Sequence, residues 1–298
     1  MSALSVPSDP RQELHLELPN GGTISYMKRI VPDSPMPYPI LFIHGYLDSF
    51  KSWSRIGPEL PPHISFISIS LRGWGNSSKS GEYSIASYAA DVAAIIEALM
   101  LPKAILCGHS MGTLIATTVA ARYPDRVAGI ILCGAASKMN PNHVVDPSDG
   151  TTLGAIGALT AEWSGEAFTD AAKEFLTGFQ TTDLQPCISE GIIPKSFEDQ
   201  VMEETLKADV RACRDCWKDM LEENHVGMLA DVVCPVMIIA GGADVVFDRK
   251  EQSNLFAALT SAPRIDFQVI PNAPHGAIWT HSQPIASRIA VFASSFAA

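Results

Sequence analysis

The chain has 298 residues, enough for one large domain or two small ones. Apolar residues make up 47% and charged residues 18%, which excludes a disordered chain and supplies a sizeable core. A formal net charge of −11, with no run of Lys or Arg, argues against nucleic acid and anionic membranes as partners.

The N-terminus, "MSALSVPSDPRQELH", has neither a basic start nor an apolar stretch, so no secretory signal is expected. Leu14, Leu16 and Leu18 then alternate ahead of Asn20-Gly21-Gly22, a turn that tolerates positive φ, which predicts an antiparallel hairpin. Short continuous apolar runs follow: "PILFIHG" (39–45), "ISFISIS" (64–70), "AILC" (104–107), "VAGIILC" (127–133), "PVMIIAGG" (235–242) and "IDFQVI" (265–270). Runs of this kind suit strands buried on both faces. Between them Ile85, Tyr88, Val92, Ile95, Ile96 and Leu99 keep one helical face apolar, and Leu114, Ile115, Thr118 and Val119 do so before Pro124. Leu255, Phe256 and Leu259 mark a third helix, and Ile285, Ile289, Phe292 and Phe296 a C-terminal one. This alternation predicts an α/β class: a mostly parallel sheet covered on both sides.

The alternation breaks between about Met139 and Val232, where helical pieces such as "GEAFTDAAKEFLTGF" and "KADVRACRDCWKDMLEEN" occur without a convincing strand. We read residues 139–232 as a helical cap inserted into a core made of 1–138 and 233–298. Residues 104–121 lack Asp, Glu, Lys and Arg and could suggest a membrane span. They also contain Gly108, His109, Ser110, Gly112 and three threonines, and a strand, turn and helix through a soluble core explain them better. Of the six cysteines, Cys213 and Cys216 have metal or redox spacing, but no second pair completes a zinc set. Cys213 falls in helical register with Val210, Trp217, Met220 and Leu221 and is expected to fill core. Free thiols fit a reducing compartment, so a cytoplasmic protein is expected.

In "LCGHSMGTL" (106–114), the spacing Gly108-x-Ser110-x-Gly112 follows a predicted strand and opens a predicted helix. That setting gives the motif its meaning, a strained turn that lifts a serine hydroxyl above the sheet and aims a helix N-terminus at it. A serine hydroxyl needs a base, and the base an orienting acid. Asp244 follows "PVMIIAGGA", His275 follows "IDFQVIPNAP" and His44-Gly45-Tyr46 follows "PILFI", all at strand ends where open α/β sheets hold their sites. Asp248 competes with Asp244 but reads as a helix cap, and His281 competes with His275 but reads as a surface residue entering the last helix. His109 and His44 read as braces.

Taken in order, His44-Gly45, Arg72-Gly73-Trp74-Gly75-Asn76-Ser77, the elbow at Ser110, Gly242-x-Asp244 and "PHG" at His275 resemble the capped, single-domain α/β-hydrolases. The resemblance covers nearly the whole chain. It implies the α/β-hydrolase fold, a mostly parallel eight-stranded sheet with flanking helices and an inserted helical cap. Two departures stand out: Ser70, where the family often has an aspartate, and "HSQP" after the histidine, where many members carry an acid. The resemblance implies that Ser110 is the nucleophile, His275 its base and Asp244 the orienting acid. The backbone N–H groups of Tyr46 and Met111 would form the oxyanion hole, and neither metal nor organic cofactor would be needed. A serine at the elbow argues against the dehalogenase and epoxide-hydrolase branches, which use an aspartate there. Hydrolysis of a carboxylic ester or lactone is the leading expectation. Tyr46, Trp163, Trp217 and Trp279 are expected to bind a medium-sized hydrophobic or aromatic substrate, with Phe168, Phe175, Phe179 and Met220 nearby in sequence or in the cap. The alternatives are a C–C bond hydrolase of diketone-like substrates, a cofactor-free peracid activity, and a receptor-like binder with little turnover. A small-molecule substrate is the expected partner, and a homodimer is compatible with the chain.

Overall fold

The computed structural model describes residues 12–19, 21–138, 185–222 and 225–297. The helical piece "GEAFTDAAKEFLTGF", together with Trp163 ahead of it and its Phe168, Phe175 and Phe179, lies outside the described residues, as does Asn20 of the hairpin turn.

Eight strands form one sheet: β1 (Leu14–Glu17), β2 (Thr23–Arg29), β3 (Ile40–Ile43), β4 (Phe66–Ile69), β5 (Ala104–His109), β6 (Val127–Cys133), β7 (Val236–Gly241) and β8 (Ile265–Ile270). Their spatial order is β1-β2-β4-β3-β5-β6-β7-β8. β1 pairs antiparallel with β2, and β2 antiparallel with β4, while every pairing from β4 through β8 is parallel. The predicted hairpin is therefore present, with Gly21 at φ +80 in its turn.

The continuous apolar runs of β3 to β7 follow from burial on both faces, whereas β8, expected to be buried in the same way, is an edge strand in which only Ile270 is buried. Leu41, Ile43, Leu106, Ile130, Leu132, Val236 and Ile238 point into one apolar layer. Their neighbours Ile40, Phe42, Ile105, Cys107, Ile131, Cys133, Met237 and Ile239 point into the other. This is the strand period of two with no polar face left over. The first layer is closed by α1 (Ile85–Ala98), α2 (Met111–Arg122), α4 (Val210–Glu222) and α5 (Arg249–Ala258). The second is closed by the 3-10 segments Phe50–Arg55 and Gly57–Glu59, by α3 (Lys195–Thr205) and by α6 (Ser282–Ser294).

Local chemistry explains where the helices begin. Ser84 and Ser87 form a reciprocal capping box on α1. Asp248 accepts from the N–H groups of Lys250 and Glu251 and so caps α5, the role expected for it from sequence. One residue departs from the predicted face of α5. Phe256 is 44% exposed and turns its ring edge-on to Phe267, because α5 covers the last strands of the sheet with only one narrow stripe centred on Leu255. Residues 185–222 between β6 and β7 are helical where ordered into elements, as the break in alternation predicts. Cys213 and Cys216 are buried in α4, and burial pushes both thiols well above their usual range. Among the described residues no helix is long and apolar enough to cross a membrane, and residues 104–121 form β5, the elbow and most of α2.

Two glycines set how closely α2 approaches the sheet. A Cβ on Gly108 would lie 2.2 Å from the carbonyl oxygen of Gly112, and one on Gly112 would lie 2.4 Å from that of Ile43. Both atoms are backbone and cannot step aside. Gly112→Ala should therefore cost about 1–3 kcal/mol of unfolding free energy in urea denaturation, through a forced shift of α2. Gly227→Ala, where nothing lies within 4 Å, should change stability by less than about 1 kcal/mol. Equal midpoints for the two variants would contradict this account of the elbow.

Candidate active site

Ser110 joins β5 to α2 with φ +51 and ψ −120, a conformation that non-glycine residues adopt only under constraint. The turn is tied on both sides. Ser110 N–H donates to the Cys133 carbonyl of β6 at 3.1 Å, and the Ser110 carbonyl accepts from the N–H and hydroxyl of Thr113 at 2.9 and 2.6 Å. These bonds hold the side chain above the C-terminal edge of the sheet, half-exposed while its partners are buried.

His275 and Asp244 arrive at that edge on the loops after β8 and β7. His275 Nε2 lies 3.0 Å from Ser110 Oγ, and His275 Nδ1 lies 3.0 Å from Asp244 Oδ2. The other oxygen of Asp244 accepts from the N–H groups of Val246 and Phe247, each at 2.9 Å. Burial works against the charged carboxylate. The adjacent His275 and the two N–H donors outweigh it, and Asp244 is held below the usual carboxylate range. A carboxylate only accepts, so Nδ1 of His275 carries the proton and Nε2 is left to accept from the Ser110 hydroxyl. Asp248 is occupied as a helix cap, and His281 Nδ1 pairs with the Thr280 hydroxyl at the start of α6. Among the described residues neither is hydrogen-bonded to the serine.

The two other histidines at the site are neutral braces. His109 Nε2 donates to the His275 carbonyl at 3.0 Å, and its ring packs against those of His275 and Trp279. Burial and the neighbouring His275 lower its pKa to about 3. His44 Nε2 accepts from Leu71 N–H at 3.0 Å, so its Nδ1 carries the proton and donates to the Gly45 carbonyl at 2.7 Å. Burial lowers its pKa to about 4. The Gly45 carbonyl belongs to the same planar peptide as Tyr46 N–H, and in a trans peptide the two point in opposite directions. His44 therefore fixes the direction of that N–H. Gly45 lets the loop come close, since a Cβ there would lie 3.3 Å from Ser110 Cβ and 3.1 Å from His109 Nδ1.

Tyr46 N–H and Met111 N–H, the latter at the first residue of α2, have no partner among the described residues. The Tyr46 side chain does. Its hydroxyl donates to the Cys213 carbonyl at 2.9 Å, and its ring sits between Trp74 and Trp217 at 5.3 and 5.2 Å. That hydroxyl is thus already committed to α4. Trp217 stands behind Tyr46, and Trp279 lies between His109 and Phe197, both indoles buried. Cys216 Sγ lies 3.2 Å from the Met111 thioether, so α4 touches the elbow directly. The predicted site residue Trp163 lies outside the described residues.

Sequence reasoning missed two neighbours. Gly134, at φ +57 after β6, leaves room for the base, because a Cβ there would lie 3.2 Å from His275 Nδ1 and 3.5 Å from Asp244 Oδ2. A glycine ending an apolar run was the available signal. Phe247 sets its ring edge-on to His275 at 5.3 Å, and nothing in its local pattern marks it.

A family model for the alpha/beta hydrolase fold matches residues 38–169. A pimeloyl-[acyl-carrier protein] methyl ester esterase of Neisseria meningitidis serogroup B is 26% identical over 255 residues, covering 83% of this chain and 90% of its own length. An AB hydrolase superfamily protein of Bacillus subtilis is 27% identical over 279 residues, covering 92% of this chain and 98% of its own. Among solved structures, the enol-lactonase of Burkholderia xenovorans LB400 superposes with a TM-score of 0.77 at 17% identity, covering 94% of this chain and 99% of that one. The strand order, the serine elbow after β5 and these likenesses agree, and the chain has the alpha/beta hydrolase fold.

Proposed function

We propose that this protein is a serine hydrolase that cleaves a carboxylic ester or lactone of a medium-sized hydrophobic or aromatic substrate. The observation that carries the reading is the hydrogen-bonded line from Ser110 Oγ through His275 to Asp244, with both steps at 3.0 Å and the serine in a strained elbow. Ester-cleaving relatives support the same reaction class.

In this reading Ser110 Oγ attacks the acyl carbon as His275 Nε2 takes its proton. Asp244, already ionised, stabilises the imidazolium without taking the proton. The carbonyl oxygen becomes an oxyanion and draws on the free N–H groups of Tyr46 and Met111, with the positive end of α2 behind the second. His275 then returns the proton to the departing alcohol oxygen, leaving an acyl-serine. Water repeats the sequence and releases the acid and the free serine. Trp217, Trp279 and the Tyr46 ring would give the acyl or alcohol group an apolar surround, with residues 139–232 acting as a cap on a core of 1–138 and 233–298.

Ser110→Ala and Asp244→Asn should each lower kcat for aryl esters by roughly 10⁴-fold or more, because the members of such a relay act as a unit. A panel of aryl esters and lactones, assayed with wild type and Ser110→Ala in parallel, checks this and ranks ester against lactone. A wild type inert across the panel, yet thermally stabilised by the same compounds, would replace the enzyme reading with a receptor-like one.

The pH profile offers a separate check. His109 and His44, with pKa values lowered to about 3 and about 4, stay neutral at every pH above about 5. The acidic fall in kcat/KM is then not the titration of either brace. His109→Asn should leave the position of that limb unchanged even if kcat drops, since it removes no charge. A limb displaced by more than about half a pH unit would show that His109 titrates with the reaction.

A further inference from the structure

We propose that the inserted helices α3 and α4 hold one half of the oxyanion hole: Thr205 is a positioning residue that, with the Cys213 carbonyl, fixes the loop carrying Tyr46 N–H. The inference rests on the reading of Ser110 and Tyr46 given above.

Tyr46 is flanked by two peptide groups with different keepers. Upstream, the core supplies His44, which orients the Gly45–Tyr46 peptide. Downstream, Leu47 has φ +59, an unfavourable conformation for a branched, buried side chain. Its carbonyl accepts from the Thr205 hydroxyl at 2.8 Å, at the last residue of α3, and Thr205 is fully buried. Two residues of the loop are thus tied to partners 158 and 167 positions away, Leu47 to Thr205 and the Tyr46 hydroxyl to the Cys213 carbonyl. The same face is secured by Glu204, whose carboxylate pairs with Lys51 at 2.7 Å just beyond the loop and with Lys207 at 2.7 Å. Among the described residues no core group bonds the Leu47 carbonyl or the Tyr46 hydroxyl.

The two donors of the hole are therefore unequal. Met111 N–H is set by the helix it begins. Tyr46 N–H sits on a strained loop whose downstream side is held by a segment outside the core, so seating of α3 and α4 is coupled to transition-state stabilisation. Loss of the Thr205 bond frees Leu47 to relax and turns Tyr46 N–H away, which weakens binding of the oxyanion more than binding of the substrate.

The test compares wild type, Thr205→Val and Thr205→Ser, with sites counted by stoichiometric labelling with a fluorophosphonate. In Thr205→Val, kcat per labelled site for an aryl ester should fall about 10- to 100-fold, less than the 10²–10³ lost with a whole donor, with KM within about twofold. Inhibition by an aryl boronic acid, which becomes tetrahedral on Ser110, should weaken by a similar factor. Thr205→Ser, which keeps the hydroxyl, should stay within about threefold of wild type. Wild-type kcat per site and boronate affinity in Thr205→Val, or an equal loss in Thr205→Ser, would overturn the inference. If Thr205→Val does not fold, Tyr46→Phe, which keeps the N–H but frees the loop from Cys213, carries the same expectation for kcat and boronate. Ser110→Ala run alongside separates the two ideas. If it is inert while Thr205→Val matches wild type, only the clamp fails, and if it remains active the nucleophile reading fails and the clamp falls with it.

Discussion

Everything at this site depends on one backbone strain, that of Ser110 at φ +51 and ψ −120. Such a conformation persists only where its surroundings over-determine it. Here β6 takes the N–H, Thr113 takes the carbonyl, and α2 is locked against β3 by glycines that leave no space for a Cβ. The strain places a hydroxyl where three parallel strands end, and so within reach of side chains carried on the loops after β7 and β8. A relaxed serine would lie along the strand or in the helix, and neither Asp244 nor His275 could be aligned with it.

The electrostatics around that hydroxyl are economical. Four imidazole or carboxylate side chains crowd the site, yet the geometry asks only one of them to be charged at rest. Asp244 keeps its charge because both oxygens are engaged by donors. His44 and His109 are buried and neutral, each with a ring nitrogen committed to a backbone carbonyl. Neutrality matters for both. A cationic His44 would lose its acceptor for Leu71 N–H, and a cationic His109 beside His275 would oppose the imidazolium that the proposed chemistry must form.

Much of this was legible in the sequence, for identifiable reasons. Strands buried on both faces leave continuous apolar runs, and those runs located β3 through β7, while β8 was found by its apolar residues although it is a half-buried edge strand; their ends are where Ser110, Asp244 and His275 fall. The elbow was legible because its glycines answer to local close approach. What was hidden depends on contacts between distant parts of the chain. Thr205 reads as an ordinary helix-terminal residue until Leu47 is seen against it, and Gly134 as an ordinary turn glycine until His275 lies beside it. Tyr46 was visible as a site residue, but whether its hydroxyl faced a substrate or the Cys213 carbonyl could be decided only by where α4 packs. Phe256 shows the converse error, a helical period extended one residue past the stripe that the sheet can cover.

The same division between local and distant causes separates the parts of the site that should vary in behaviour from those that should not. Ser110, Asp244, His275 and Met111 N–H are set by the strand ends and by the helix that starts at the elbow. Tyr46 N–H is different. Its peptide is set by His44 on one side, and on the other by a strained residue whose carbonyl is held by Thr205 of α3. On the proposed reading, a shift of α3 would bear on this donor through the Leu47 carbonyl, while Ser110 and His275 keep their own ties to the sheet and its loops. If the proposed reaction holds, this makes the loop after β3 the place where packing of α3 and α4 would be converted into a change of rate.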